Sequence, residues 1–193
     1  MQDHASRIVS SEKEQLILVD EDDVEMGHID KQSAHDAKGL LHRAFSLFIF
    51  NPDGKLLMQQ RSGDKRLWPN YWSNSCCSHP RRGETMQEAT RRRLRDELNI
   101  DAKLEFVYKF TYQASYDDLG AENELCWVYL GRTADVIVPN RNEIADTGWL
   151  SSSELQRKLE EEPARFTPWF KLEWQRLKAD HAQVLGKYLR SGV

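Results

Sequence analysis

The most constraining feature of the sequence is a short run that places a thiol, an imidazole and a helix entrance close together. The run covers residues 74–84, contains Cys77 and His79, and leads into a segment with helical spacing up to residue 98. Residues two apart share one face of a strand, so Cys76 would face the other way. Core packing rarely requires a nucleophilic thiol beside a metal-binding imidazole. We therefore expect a functional site here, with Cys76 in the packed interior.

Composition limits the chain to one globular domain. A chain of 193 residues with 39% hydrophobic content can close one core but hardly two. We expect a flexible tail over residues 1–14 and a single domain over residues 15–193. The 27 basic and 31 acidic residues leave a net charge of −4, which provides no overall field for nucleic acid or an anionic membrane. Any anion binding must therefore be local.

The cysteines and the apolar runs indicate the cellular compartment. Cys76, Cys77 and Cys126 are an odd number without a Cys-x-x-Cys pair, so neither a disulfide framework nor a thiolate zinc site is indicated. The N-terminus is polar, and the longest uncharged apolar run, residues 44–50, is too short to span a membrane. We therefore expect a soluble cytoplasmic protein with reduced thiols.

Hydrophobic periodicity predicts a strand-rich body with few helices. Strands are predicted at 15–19, 24–29, 42–50, 56–61, 101–112 and 124–132, with a further pair around 136–138 and 147–150. Helices are predicted over 84–98, 151–161 and 168–189. The first would stop at Asn99 in a left-handed conformation, and the second would begin at a serine cap. With a hairpin at the N-terminus and helices at the C-terminus, this order is typical of an α+β domain with a mixed sheet.

The helix over residues 84–98 carries two charges on its inward stripe. Arg93 and Glu97 follow Met86, Ala89 and other inward positions at helical spacing. One interpretation is a self-satisfying ion pair at the edge of the stripe. The other is that Glu97 faces a metal ion and Arg93 faces an anion. The sequence alone leaves both open.

Residues 78–84, followed after seven residues by 92–100, resemble a degenerate Nudix box, the loop-helix-loop that binds diphosphate through divalent metal. Ser78 and Asn99 stand where the box has glycine, and Arg93 stands where it has the first glutamate of an Arg-Glu pair. A Nudix hydrolase needs several carboxylates on this helix. Arg93 therefore argues against pyrophosphate hydrolysis.

Type 1 isopentenyl-diphosphate delta-isomerases are similar at these same positions. The similarity spans about residues 15–170 and includes the segments 33–35, 41–46, 60–62, 72–80, 122–124 and 166–169. It implies a Nudix-like α/β/α sandwich and an isomerase of isopentenyl and dimethylallyl diphosphate that supplies isoprenoid biosynthesis. The partner would be a small homoallylic or allylic diphosphate, and the protein a monomer or weak homodimer. The alternatives are a Nudix pyrophosphohydrolase and a catalytically silent Nudix-like binding module.

Five side chains form a candidate metal site. Glu122 and Glu124 share one face of a strand, and His35, His42 and His79 complete a set of three nitrogens and two carboxylates. This donor set suits Zn²⁺ or Mn²⁺. A single histidine is more often a satisfied polar side chain, but the five residues together weaken that explanation.

Cys77 and Glu124 are the candidate acid and base. Moving a double bond by one carbon requires one proton added and another removed at the neighbouring allylic carbon. The resemblance implies this role for the two residues, with Glu124 also binding the metal. It also implies that Trp169 faces the carbocation intermediate. Tyr112 is a candidate hydrogen-bond donor to the carboxylate.

The diphosphate requires cations at short range. The candidates come from four segments and are Lys31, Arg61, Lys65 and Arg93. The sequence does not separate Lys65 from Arg66. The resemblance adds Ser78 as a diphosphate ligand, and it implies a Mg²⁺ ion held by Glu97 and the carbonyl group of Cys77.

Overall fold

The structure, a computed structural model, describes residues 4–190. Within this range nine strands form one mixed sheet. The strands are β1 (Gln15–Val19), β2 (Glu25–Asp30), β3 (His42–Phe50), β4 (Leu56–Arg61), β5 (Trp72–Ser73), β6 (Cys76–Ser78), β7 (Lys103–Tyr116), β8 (Gly120–Arg132) and β9 (Ile144–Leu150). The α-helices are α1 (Lys31–His35), α2 (Met86–Leu98), α3 (Ser152–Glu161), α4 (Pro168–Asp180) and α5 (Ala182–Leu189). No helix in the described range has the length and apolar character needed to cross a membrane.

Strand β3 lies at the centre of the sheet. It pairs in parallel with β8 along its whole length and antiparallel with β6 on its other side. Its residues are almost all buried and apolar, as expected for a strand covered on both faces. Phe45, Leu47 and Ile49 point to one face, while Phe48 and Phe50 point to the other. The predicted mixed sheet is confirmed.

Helices cover both faces of the sheet, which confirms the predicted α/β/α sandwich. Helix α2 packs Ala89, Leu94 and Leu98 against one face. Helices α3, α4 and α5 cover the other face, where Trp174 and Leu185 are buried. The two apolar cores therefore lie on opposite sides of β3, and residues that alternate along a strand enter different cores.

The helix boundaries follow local capping chemistry. Thr85 and Glu88 form a capping box at the start of α2, and Asn99 ends that helix with φ 56°, ψ 38°. Ser151 and Glu154 form the corresponding capping box of α3. The predicted Asn99 stop and serine cap are confirmed. These caps fix where α2 presents its charged residues to the site.

Two predicted elements differ from the structure. Residues 136–138 form no strand, because the Val138 N–H donates to the Leu98 carbonyl at 3.0 Å at the end of α2, and β9 pairs with β4 instead. The predicted helix over 168–189 is divided at His181, which has φ −125° and ψ 26°. The His181 ring stacks on Tyr108 with ring centroids 4.7 Å apart.

The N-terminal segment was predicted as a flexible tail, and its residues 1–3 lie outside the described range. Residues 4–14 contact the body of the domain. Val9 is buried, and its carbonyl accepts a hydrogen bond from Arg93 Nη1 at 3.1 Å. Lys31 Nζ donates to Ser10 Oγ at 2.9 Å. The segment therefore contributes to the wall of the pocket described next.

Candidate active site

One pocket brings most of the predicted functional residues together. It lies where α1, β6 and β8 meet the start of α4. Its lining contains the predicted residues Lys31, His35, Arg61, Lys65, Cys77, Ser78, His79, Arg93, Tyr112, Glu122, Glu124 and Trp169. Two predicted residues, His42 and Glu97, are not part of this lining. Both are buried next to residues that are.

The five candidate metal ligands converge from four elements. His35 ends α1, His42 begins β3, His79 follows β6, and Glu122 and Glu124 lie on β8. One donor atom from each side chain lies within 4.8 Å of every other. The parallel register aligns His42 with Glu124 across the β3–β8 pair. The predicted spacing on β8 thus places both carboxylates on the face where the histidines meet.

The hydrogen bonds of the imidazoles fit a metal site. Nδ1 of His35 lies 2.7 Å from the Lys31 carbonyl, and Nδ1 of His42 lies 2.7 Å from the Leu40 carbonyl. With Nδ1 as the donor, the Nε2 lone pairs point into the cluster. His42 Nε2 is buried without a hydrogen-bond partner among the described residues. Such an atom is costly unless it serves a ligand, so this donor set fits a divalent cation.

Burial controls the charge of the cluster. Burial and the neighbouring His35 lower the pKa of His42 to about 4. The pKa of His79 also falls well below its usual value, chiefly through burial. Neutral imidazoles of this kind are the form that binds metal. His35 is different: burial lowers its pKa, but the charge and hydrogen bond of Glu122 together with the hydrogen bond to the Lys31 carbonyl outweigh burial, and its pKa is raised.

Glu124 connects the metal-ligand cluster to the rest of the pocket. Its Oε1 lies 2.9 Å from His79 Nε2, and its Oε2 accepts a hydrogen bond of 2.6 Å from the Tyr112 hydroxyl. Burial, followed by the like charge of Glu122, raises the pKa of Glu124 well above its usual value. A carboxyl group with a raised pKa can hold or accept a proton near neutral pH.

Cys77 lies in a polar niche beside the pocket. Its Sγ donates to Asn74 Oδ1 at 2.7 Å, and Trp169 Nε1 donates to the sulfur at 3.2 Å. The hydroxyls of Ser46 and Ser73 lie 3.6 and 3.7 Å from the sulfur. Burial raises the pKa of Cys77 to about 12. The thiol is therefore protonated at neutral pH and surrounded by groups that can stabilise a thiolate.

Cys76 occupies the opposite face of the sheet. It is fully buried in the core beneath α2, and its Sγ donates to Glu97 Oε1 at 3.3 Å. The predicted alternation of Cys76 and Cys77 is confirmed. Adjacent thiols therefore have different surroundings, and only Cys77 reaches the pocket.

Three predicted cations surround one end of the pocket. Lys31 Nζ lies 3.7 Å from Glu12, and burial together with Lys65 lowers its pKa. Lys65 is paired with Glu143. The guanidinium of Arg61 lies 5.2 Å from the centre of the Trp169 ring and donates to backbone carbonyls. These cations converge where an anionic group would bind.

Arg93 and Glu97 form a buried ion pair, which is the first of the two interpretations that the sequence left open. Arg93 Nε and Nη2 lie 2.8 and 2.5 Å from Glu97 Oε1, and Nη2 lies 3.2 Å from Glu143 Oε2. Arg93 also lines the pocket. Glu97 is occupied by Arg93 and Cys76, and it lies outside the cluster of three histidines and two glutamates.

Several residues of the site were not predicted. Glu143 forms ion pairs with both Lys65 and Arg93. It lies in a loop, where no hydrophobic periodicity predicts which side chains point inward. Glu173 is fully buried on α4, four residues after Trp169, so helical spacing from that residue could have placed it inward. Asn74 belongs to the run of residues 74–84, but its contact with the Cys77 thiol depends on tertiary structure.

The chain is similar to curated isomerases over most of its length. The NUDIX domain model matches residues 40–170. Isopentenyl-diphosphate Delta-isomerase 1 of Photorhabdus laumondii subsp. laumondii is 41% identical over 174 residues, covering 89% of this chain and 99% of that protein. Isopentenyl-diphosphate Delta-isomerase of Burkholderia multivorans is 40% identical, covering 82% of this chain and 89% of that protein.

Solved structures share the fold. A crystal structure of a Deinococcus radiodurans protein has a TM-score of 0.65 at 24% identity and covers 92% of this chain and 100% of that one. The MutT protein of Methanosarcina mazei has a TM-score of 0.61 at 15% identity and covers 73% of this chain and 95% of that one. At these identities the likeness concerns architecture alone.

Proposed function

The chain belongs to the isopentenyl-diphosphate Delta-isomerases that carry a NUDIX domain, and from this premise we propose how its residues move a carbon-carbon double bond. The enzyme interconverts isopentenyl and dimethylallyl diphosphate, small diphosphates of isoprenoid biosynthesis. The proposal depends on one observation: a protonatable thiol, Cys77, and a protonatable carboxyl group, Glu124, line the same pocket.

Cys77 and Glu124 act as the acid and base. One adds a proton to the terminal carbon of the C3–C4 double bond, and the other removes a proton from C2, so the double bond moves to C2–C3. Strands β6 and β8 flank β3, and with about 4.8 Å between neighbouring strands they are about 9.6 Å apart. A small hydrocarbon can therefore lie between groups that approach it from two sides.

The intermediate is a tertiary carbocation at C3. Trp169 is buried beside Cys77, and an aromatic ring attracts a cation through its face. Tyr112 holds Glu124 through a hydrogen bond of 2.6 Å, which fixes the carboxyl group relative to the pocket. Burial of these residues limits the access of water that would trap the cation.

A divalent cation binds the His/Glu cluster, and we propose Zn²⁺ or Mn²⁺. The ligands would be His35, His42, His79, Glu122 and Glu124. When bound, the ion supplies positive charge that favours the ionised form of Glu124. The ionised Glu124 would then act as the base and accept the reacting proton at Oε2, the oxygen that also accepts the Tyr112 hydrogen bond.

The cations bind the diphosphate. We assign Lys31, Arg61, Lys65 and Ser78 to this end, and Arg93 supports them from α2. Lys31 currently contacts Ser10 and Glu12, and a diphosphate oxygen would replace the latter contact. We further propose a Mg²⁺ ion shared with the diphosphate, with Glu97 and the Cys77 carbonyl as its protein ligands. Because Glu97 is paired with Arg93, this assignment requires the pair to open.

The remaining assignments concern the cell. We propose a monomer or weak homodimer without a nucleic-acid or membrane partner. The three cysteines are free thiols, which supports a cytoplasmic location.

The test incubates the protein with isopentenyl diphosphate, Mg²⁺ and Zn²⁺ or Mn²⁺ in D₂O and follows the product by NMR. We expect deuterated dimethylallyl diphosphate from the wild type and almost none from Cys77→Ala or Glu124→Gln. Cys76→Ala is the matched control, because it removes the adjacent thiol from the other face of the sheet. Unchanged turnover in Cys77→Ala would refute the acid-base assignment.

A further inference from the structure

Four of the five metal ligands come from two segments that lie against each other. His35 and His42 stand at the two ends of a short connection, residues 36–41, between α1 and β3. Glu122 and Glu124 lie on β8, whose pairing with β3 begins only where His42 meets Glu124. The first residues of β8 therefore lie beside the connection. The relative position of the connection and β8 sets the distances among these four side chains.

Gly120, the first residue of β8, touches the connection at its start. Its φ is +152°, and a Cβ atom at this position would lie 2.3 Å from the carbonyl oxygen of His35. The obstacle is backbone, so it cannot rotate away as a side chain can. The imidazole of the same His35 lies 2.8 Å from Glu122, measured from Nε2 to Oε2. Glycine is therefore required where β8 supports His35.

Gly39 makes the matching contact near the other end of the connection. Its φ is +71°, and a Cβ atom would lie 2.9 Å from the Ala121 carbonyl oxygen and 3.3 Å from the Asn123 backbone nitrogen. The Asn123 side chain also donates to the Gly39 carbonyl at 3.2 Å. Asn123 lies between the two acidic ligands, so Gly39 fixes the connection against the residues that carry them.

Two polar side chains hold the same segments together from outside. Arg66 Nη2 donates to the Leu119 carbonyl at 2.7 Å and pairs with Asp36, the C-terminal cap of α1. Gln113 Nε2 donates to the Lys38 carbonyl at 2.6 Å. The connection is therefore attached to the β7–β8 hairpin along its length, and the two glycines set how closely it approaches.

We propose that Gly39 and Gly120 are positioning residues of the metal site: they let the connection and β8 approach closely enough for the imidazoles and carboxylates to meet. This inference rests on the proposed binding of a divalent cation to the metal-ligand cluster. An ordinary van der Waals contact begins at 3.4 Å, so a Cβ at Gly120 would push the His35 backbone away by about 1 Å. Metal-ligand distances tolerate only about 0.2 Å, so the displacement would weaken metal binding.

The test titrates Zn²⁺ into metal-free protein by calorimetry. We expect Gly120→Ala to raise the Kd for Zn²⁺ by about 10- to 100-fold, the range found when groups that orient metal ligands are removed. Gly39→Ala should raise it by about 10-fold, because its overlap is milder. His42→Gln identifies the binding heat that belongs to the metal-ligand cluster.

Two glycines that do not touch the cluster are matched controls. A Cβ at Gly54 would lie 2.3 Å from the Leu189 carbonyl oxygen, the same overlap as at Gly120, and its φ of +75° is close to that of Gly39. Gly27 has φ +154°, close to that of Gly120, but a Cβ there would have no neighbour within 4 Å. Gly54→Ala should lose stability in urea, and Gly27→Ala should lose less. Both should bind Zn²⁺ with a Kd within about 2-fold of the wild type.

The outcomes separate the role of the glycines from the metal site itself. An unchanged Kd in Gly39→Ala, or in a folded Gly120→Ala, would overturn the proposal while the wild type still binds Zn²⁺. An equal rise in Gly54→Ala would also overturn it, because weaker binding would then reflect lost stability alone. A wild type that binds no Zn²⁺ at the cluster would instead refute the proposed metal site, and this inference with it.

Discussion

Replacing Arg93 with methionine should destabilise the protein far more than an ordinary helix substitution. Arg93 is 3% exposed and provides two hydrogen bonds to Glu97 and one to Glu143. Glu143 keeps its pair with Lys65 after the substitution, but Glu97 is left as a buried, uncompensated carboxylate. Removing one partner of a buried pair costs about 3–5 kcal/mol. This is the expected loss in the free energy of unfolding.

Urea denaturation followed by tryptophan fluorescence measures the effect. The midpoint should fall while the slope with denaturant stays constant. Arg95→Met is the matched control, because this arginine is on the same helix and its side chain is 56% exposed in a pair with Asp101. Exposed pairs contribute about 0–1 kcal/mol, so the control should lose little.

The double variant examines the cause. If the cost comes from the unpaired charge of Glu97, then Arg93→Met combined with Glu97→Leu should be more stable than Arg93→Met alone, since an apolar pair can replace a buried ion pair. A loss in Arg93→Met no larger than that in Arg95→Met would contradict the reasoning. So would a double variant that is less stable than Arg93→Met.

Three further predictions concern the ligands and the core. A Zn²⁺ or Mn²⁺ concentration 100 times the Kd should stabilise the wild type against unfolding by about 2.7 kcal/mol, which is measured as a rise in Tm. The rise should be smaller in His42→Gln and should be reversed by EDTA. In the NMR assay, Trp169→Leu should have a kcat about 30-fold lower than Trp169→Phe, because a desolvated cation-aromatic contact contributes about 2 kcal/mol. Equal rates in the two variants would contradict the role of the ring. Burial raises the pKa of Glu173 to about 8 in the folded protein. The neutral carboxyl group therefore contributes its full stability to the folded state below its pKa in the unfolded chain, and this contribution is lost as the pH rises through about 8. Between pH 5 and 7 the wild type should therefore lose about 1.4 kcal/mol per pH unit relative to Glu173→Gln in urea denaturation, and parallel profiles would contradict this.

Local rules predicted the central elements well. A near-continuous apolar run located β3 to its terminal residues, because both faces of that strand are buried. The two-residue period also predicted that Cys76 and Cys77 enter different cores. By contrast, residues 136–138 have strand-forming side chains, but their backbone serves the end of α2. Tertiary hydrogen bonding therefore determines the conformation of residues 136–138, and no local sequence pattern predicts that hydrogen bonding.

The candidate site was predictable where its residues share a local period. Glu122 and Glu124 alternate on β8, so their common face followed from the sequence. The position of Glu143 did not follow from the sequence, because this residue reaches Arg93 from a loop. An isolated glutamate in a polar segment normally lies at the surface. The sequence also left the Arg93–Glu97 pair undecided, since i,i+4 spacing fits both an ion pair and two separate ligands.

The balance of charge on α2 bears on the type of reaction. Arg93 neutralises Glu97 and shares Glu143 with Lys65, so this side of the pocket offers cations together with carboxylates that are already paired. The five donors of the metal-ligand cluster lie instead on α1, β3, β8 and the end of β6. A hydrolase of this fold family needs unpaired carboxylates on the helix to hold the metals that activate water. The carboxylates paired with Arg93 on α2 therefore support the proposed isomerase rather than a hydrolase, with Glu124, one of the five donors, in its proposed role of exchanging a proton on carbon.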